Sequence, residues 1–264
     1  MLNHEAAIRA SIFFGLLIIF AVVEYALPKR RGNARRTQRW PVNIGLVLID
    51  TLIIRVLAPG LAVAAAVLAQ REGWGVFGRW DGLPTWLIIM ICIVLMDAFI
   101  YWQHRLMHKV PVLWRLHRVH HADTEFDVTT ALRFHPLEIV FSLCLKAAFV
   151  VALGVPVIAI VIFEVLLNAS AMFNHANIAL PAALDRSVRP FVVTPDMHRV
   201  HHSSYEKQTN SNYGFFLSLW DRLFASYQAE PAEPHETMQI GLVEFRERRD
   251  QSLWQLLIQP FRRA

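Results

Sequence analysis

Ten of the twelve histidines in this 264-residue chain fall between positions 104 and 202, and their spacing is that of helix faces. YWQHRLMH sets His104 and His108 four residues apart, so on a helix the two imidazoles share one side. LWRLHRVHHAD adds His117, His120 and His121, and PDMHRVHHS adds His198, His201 and His202; the string HRVHH occurs twice. Each copy carries imidazoles at i, i+3 and i+4, and two such segments can aim six rings at a common point. Between the copies lie His135 in RFHPLE and His175 in FNHANI. Imidazole suits zinc, copper, iron and nickel, and one tetrahedral zinc needs only four ligands. Eight or more convergent histidines exceed that need and predict two metal ions. A lone helical histidine is more often a hydrogen-bonded polar residue than a ligand, so the joint spacing carries the argument. His4 and His235 lie outside the pattern and read as incidental.

The elements that must position these rings are apolar. The chain is 55% hydrophobic and 18% charged, with a mean hydropathy of +0.36, whereas an ordinary soluble domain is about a quarter charged. Four apolar regions stand out, at about 6–27, 44–69, 83–101 and 136–173. The first is long enough to span a bilayer. Basic residues follow it and no small-residue cleavage site is evident, which favours an uncleaved anchor over a signal peptide. Asp50, Arg55 and Pro59-Gly60 interrupt the second, and polar residues at that depth are expected to face a bundle interior. The fourth is too long for one span, and Gly154-Val155-Pro156 near its middle predicts a helical hairpin. The fold class expected is all-α, a polytopic helical membrane protein with about four to five membrane-embedded helices and a cytoplasmic histidine-rich helical cap. Cys92 and Cys144 sit in apolar stretches and offer neither a disulfide framework nor a CxxC site.

Charge sets the sidedness. The loop at 28–43 holds Lys29, Arg30, Arg31, Arg35, Arg36 and Arg39 and no acidic residue, so it is expected in the cytoplasm. The loop at 70–83 balances Arg71 and Arg79 against Glu72 and Asp81 and can face the other side. The histidines from His104 to His202 then fall at the cytoplasmic face. A second basic cluster, Arg246, Arg248, Arg249, Arg262 and Arg263, is interleaved with Trp254, Leu256, Leu257 and Phe261. It fits an amphipathic segment lying on the membrane or packed against the histidine cap. Basic clusters that flank apolar spans read as topology and head-group contact. With no RNA- or DNA-binding motif beside them, nucleic acid is not an expected partner.

HRLMH, HRVHH and HRVHH, ordered around an apolar hairpin, resemble the histidine boxes of the fatty acid hydroxylase/sterol desaturase superfamily of integral membrane oxygenases. DAFIYWQHRLMH, RFHPLE and NSNYGFFLSLWDRLFASY extend the likeness over residues 84–228. The resemblance implies a catalytic domain at 84–228, preceded by transmembrane helices at 1–83 and followed by an amphipathic tail at 229–264. It implies a non-haem centre of two iron ions, with zinc able to replace them in purified protein, and it implies O2 as oxidant. The substrate class is a lipid (fatty acyl, sterol-like or ether lipid) that is hydroxylated or desaturated, with electrons from a separate ferredoxin or cytochrome-type reductase. Carried over residue by residue, His104, His108, His117, His120, His121, His198, His201 and His202 match the family's ligands, and His175 matches its isolated histidine after the hairpin. Some relatives carry a second histidine four residues earlier, where this chain has Ala171. The last ligand therefore stays open, with His135 a candidate for it, for a hydrogen bond to a ligand, or for substrate contact.

Metal-bound histidines usually give their second nitrogen to a carboxylate or a carbonyl. Asp97, seven residues before His104, is a candidate for that role, as are Asp123, Asn174, Asp196 and Asn212. Asp196 also reads as a helix N-cap, and Asp221 with Arg222 as a structural pair. Trp102, Trp114, Phe126, Phe134 and Phe173 lie near the boxes and read either as core or as the lining of a lipid channel. The rival class is a membrane metal protein without oxygenase activity. A zinc hydrolase would want HExxH, a haem carrier single histidines on facing spans, and a metal transporter ligands at mid-membrane depth. There is no GxGxxG before a helix and no P-loop, so NAD and flavin are not expected to bind directly.

Overall fold

A computed structural model describes residues 5–32, 36–79 and 82–263, so His4, Arg35 and Asp81 lie outside the described residues. The described chain is all-helical apart from isolated bridges. Five helical segments, Ala7–Ala26, Arg36–Glu72, Thr85–Lys109, Pro136–Leu153 and Val157–His175, are long and apolar enough to cross a membrane. They comprise α1 (Glu5–Ala26), α2 (Arg36–Leu57) with α3 (Leu61–Glu72), α4 (Thr85–Lys109), and, after α5 (Pro111–His121), α6 (Pro136–Leu153) and α7 (Val157–His175). Phe14, Ile18, Ile19 and Val22 of α1 are exposed, as a helix facing lipid requires. Ala62, Ala65, Ala66, Cys92, Met96, Ala159, Ile160 and Phe163 form the largest core, where α3, α4, α6 and α7 meet. Small side chains there let helix backbones approach closely.

The hairpin expected at 154–156 joins α6 to α7. Gly154 adopts φ 68°, and a Cβ at that position would lie 2.4 Å from the Trp74 carbonyl oxygen, so only glycine fits the corner. Two expectations need correction. Residues 36–43 are helix rather than loop, because α2 begins at Arg36. Its buried face runs Arg39, Asn43, Leu46, Asp50, a helical period carried mainly by polar residues that hydropathy alone passes over. Arg39 is correspondingly buried instead of contacting head groups: Nε and Nη2 donate to Asp123 at 2.8 and 2.7 Å, and Nη1 donates to Asp127 at 2.5 Å.

The remaining segments gather at the end of the bundle where α4 and α7 present His104, His108 and His175. They are α5, 3-10 helices at Val128–Leu132, Arg248–Gln251 and Gln259–Phe261, and the short helices α8 (Ala182–Val188), α9 (Pro195–His201), α10 (Glu206–Thr209), α11 (Leu219–Leu223) and α12 (Leu253–Ile258). Of the two positions open to the tail, it packs on α5. Leu256 is fully buried against Val119 and Leu46. Arg118 and Arg115 donate to the carbonyls of Gln259 and Pro260, both at 2.5 Å, while Trp254 and Phe261 stay exposed. Glu24, buried near the end of α1, accepts from the backbone N–H groups of Val128 (3.0 Å) and Asn177 (3.1 Å) and ties the first span to this layer.

Candidate metal centre

Four helices, α4, α5, α7 and α9, aim the rings. α4 continues two turns beyond its apolar run and carries His104 and His108 on its final turns. Val110 both closes α4 and precedes α5, and Pro111 at the first position of α5 fixes the corner. His117, His120 and His121 follow on α5. α9 starts at Thr194, whose hydroxyl accepts from Met197 N, with Pro195 next. Thr194 is therefore the N-cap, and Asp196 lies within the first turn, correcting the expected cap by two residues. His198 and His201 lie on α9 and His202 directly follows it, while His175 ends α7.

The rings form two adjacent groups. His104, His108, His117, His121 and His201 bring one ligand nitrogen each within 4.8 Å of one another, and His120, His175, His198 and His202 do the same. His117 and His120 on α5, and His198 and His201 on α9, bridge the groups with ring centroids 5.3 and 5.1 Å apart.

Within the first group the nitrogens meet in a way that a hydrogen bond cannot account for. His104 Nε2 lies 3.1 Å from His117 Nε2 and 3.1 Å from His201 Nε2. The other ring nitrogens fix the tautomers. His104 Nδ1 donates to Tyr213 O (2.8 Å), His201 Nδ1 to Ser211 O (2.7 Å), and His117 Nδ1 to the Glu138 carboxylate (2.6 Å). Carbonyls and carboxylates only accept, so each Nδ1 carries the proton and each Nε2 presents a lone pair. Three lone pairs face one another at contact distance and need a cation between them. For a metal–nitrogen bond of about 2.1 Å, two ligands on one ion stand roughly 3.0–3.4 Å apart, which matches the observed separations. In the second group His175 Nδ1 donates to Ala171 O (2.7 Å), and its Nε2 sits 3.1 Å from both His120 Nε2 and His198 Nε2. The buried atoms His108 Nδ1 and Nε2, His121 Nε2 and His202 Nδ1 and Nε2 have no hydrogen-bond partner at all. A metal satisfies such orphans, and the donor set fits two ions.

Burial and neighbouring imidazoles hold His120, His121, His198 and His202 well below the ordinary histidine value, and burial beside His117 lowers His201 to about 3. All five are neutral near pH 7, the form that ligates. Aromatic faces close the site: Phe134 stacks on His120 at 4.5 Å, Trp114 lies 4.9 Å from His108, and Phe126 lies 5.2 Å from His202. Phe173 instead packs on Phe20, and Trp102 is exposed beside Phe224.

The structure brings nine of the ten sequence-named histidines together and sets His135 apart. His135 caps α6, accepting from Leu137 N at Nδ1 (3.1 Å), and its Nε2 donates to Leu257 O (3.0 Å). Both ring nitrogens are thereby occupied. His235 is also outside both groups. Asp97 bonds to none of the clustered histidines. It accepts from Phe216 N, Leu217 N and Trp220 Nε1 (3.3, 3.0 and 2.8 Å), which steadies the segment whose Tyr213 carbonyl orients His104. Asn174 donates to Phe215 O in the same segment (3.0 Å). Asp196 pairs with Arg199 and lies 3.6 Å from Lys29 Nζ. Asp123 holds Arg39, and Asn212 anchors α9 to the strap after α11 through Met197 O and Gln228 O. Asp221 does not pair with Arg222; it accepts from Tyr213 N, Gly214 N and Ser226 Oγ. The residue that sequence reasoning missed is Glu138, whose signal was its position in RFHPLE at the mouth of an apolar helix.

A cavity of about 260 Å3 runs from between α1, α2, α6 and α7 up to His104 and His117. Its walls are mostly apolar, including Phe13, Val47, Ile54, Ile100, Leu132 and Leu167, the lining expected of a site for an apolar ligand.

Residues 89–226 match the family model described as fatty acid hydroxylase, just over half of the chain. An ornithine lipid hydroxylase from Rhizobium tropici is 28% identical over 88% of this chain and 70% of its own length. An alkylglycerol monooxygenase from Xenopus tropicalis is 30% identical over 83% of this chain, which spans 46% of that relative. A methylsterol monooxygenase from Gallus gallus is 27% identical over 86% of this chain and 74% of its own length. No solved structure matches the chain. With paired histidine groups at the end of five apolar helices and a family match over the segment that carries every one of those histidines, the chain belongs to the fatty acid hydroxylase family.

Proposed function

We propose that this chain is an integral membrane oxygenase that holds two iron ions on its nine clustered histidines and hydroxylates or desaturates a lipid. The observation that carries the reading is the set of facing Nε2 lone pairs at 3.1 Å, fixed by Nδ1–H donation, at the closed end of an apolar cavity. A bound iron pair supplies the chemistry that couples reduction of O2 to oxidation of a C–H bond. The protein's own groups do the rest. Backbone carbonyls and Glu138 fix the tautomers and ring orientations of the imidazoles they accept from. The cavity holds the lipid chain against His104 and His117, and Phe134, Trp114 and Phe126 restrict water. For hydroxylation the balance is one lipid C–H, O2, two electrons and two protons in, one C–OH and one water out.

The electrons come from a separate ferredoxin- or cytochrome-type partner. The basic residues Lys29, Arg30, Arg31, Arg35 and Arg36 support a cytoplasmic histidine layer in a bacterial-type inner membrane, where such a partner can reach it. The relatives' names are those of hydroxylases and monooxygenases, which supports oxygen insertion over desaturation. The test is lipid mass spectrometry of cells expressing the chain under 18O2. A lipid gaining one labelled oxygen in the wild type, and not in His120→Ala or His201→Ala, is the expected result. Identical lipid profiles in all three strains would overturn the reading.

A further inference from the structure

We infer that Asp50, with Gln103, recognises a hydrogen-bond-donating polar group, a hydroxyl or an ammonium, on the lipid that enters the cavity. The inference rests on the lipid-oxidation reading above and names the substrate chemistry of that site. The buried face of α2 explains why Asp50 stands out. Arg39 is satisfied by Asp123 and Asp127, and Asn43 donates to Thr129 Oγ1 at 3.0 Å. Asp50, only 5% exposed on the same face, leaves its Oδ1 without any partner. A fold that pairs two neighbouring buried polar groups and leaves a carboxyl oxygen unpaired in an apolar wall has left that atom for something else.

The cavity contains two further unpartnered acceptors, Gln103 Oε1 and Glu138 Oε2. Three side-chain donors in the same walls each already make one bond. Gln103 Nε2 donates to Ser142 Oγ (2.5 Å), Thr51 Oγ1 to Val47 O (2.7 Å), and Asn168 Nδ2 to Glu164 O (2.8 Å). The wall therefore presents three acceptor atoms, Asp50 Oδ1, Gln103 Oε1 and Glu138 Oε2, that have no partner among the described residues. A plain hydrocarbon leaves all of them unpaired, whereas a ligand that brings O–H or N–H donors satisfies them.

The experiment uses the metal-loaded full chain in nanodiscs and measures equilibrium binding of a radiolabelled long-chain primary alcohol, its methyl ether and the matching primary amine. The wild type is expected to bind the alcohol or the amine roughly ten-fold more tightly than the ether. Asp50→Leu should remove that preference. Asp50→Asn, which keeps an acceptor but no charge, should keep a preference for the alcohol and lose one for the amine, and so separates the two donors. Gln103→Leu should weaken the preference as well, which keeps the test open if Asp50→Leu fails to load metal. Equal binding of all three ligands by the wild type, as water filling the cavity would produce, would overturn the inference, as would a preference retained in both leucine variants. Absence of any lipid oxidation by the wild type would instead strike the oxygenase reading, and the binding preference would remain measurable.

Discussion

Replacing Glu138 by Gln perturbs the metal centre through one hydrogen bond. Glu138 Oε1 accepts from His117 Nδ1 at 2.6 Å, and both residues are nearly fully buried. A carboxylate can only accept, so it forces the tautomer that leaves Nε2 free to ligate. A charge-assisted bond contributes about 1.5–3 kcal/mol, and its neutral counterpart about 0.5–1.5. The difference of roughly 1–2 kcal/mol predicts metal affinity at the five-histidine group weakened about 5- to 30-fold. The glutamine NH2 can also turn toward Nδ1 and favour the wrong tautomer, and Glu138→Ala, which removes the acceptor, should lose more. The assay is metal retained per chain after dialysis against graded chelator, with circular dichroism as the control for folding. Wild-type retention by both variants at unchanged helicity would refute the claim that Glu138 orients His117.

Other consequences follow from the same contacts. Arg39→Met leaves Asp123 and Asp127 buried without their counter-ion and should destabilise the chain by about 3–5 kcal/mol, read as a lowered midpoint of thermal unfolding in detergent; an unchanged midpoint would contradict the burial argument. Burial alone would raise the Asp123 carboxyl, but Arg39 and Arg133 outweigh it and hold Asp123 below the ordinary carboxylate range. A depressed folded value means that this contribution is present above the unfolded value of about 3.9 and is lost as pH falls below it. Acid unfolding should therefore be steeper in the wild type than in Asp123→Asn. His135→Ala should cost about 1 kcal/mol through loss of the α6 cap while leaving metal content unchanged; loss of one metal would return His135 to the ligand set.

The histidines were legible because their spacing is a property of the chain itself. HRVHH at i, i+3 and i+4 fixes a face wherever a helix forms, and the hairpin at Gly154 could be placed from apolar length and the Gly154-Val155-Pro156 break in its middle. The groups that orient the rings were not. Tyr213, Ser211 and Ala171 act through backbone carbonyls, which every residue possesses, so side-chain identity carries no signal. Asp97 was singled out for its distance from His104 and instead fastens the segment that bears one of those carbonyls. Arg39 read as a topology marker because its partners, Asp123 and Asp127, lie more than eighty residues away. Glu138 was hidden for the opposite reason: hydropathy assigns the start of α6 to the membrane and treats its one acid as an exception.

The most direct test of the central claim is metal analysis of the detergent-purified full chain, prepared anaerobically from iron-supplemented cells, together with its absorption spectrum. Two irons per chain with no Soret band is the predicted result, one ion for each histidine group. A single metal per chain after saturation, or a haem spectrum, would contradict the account.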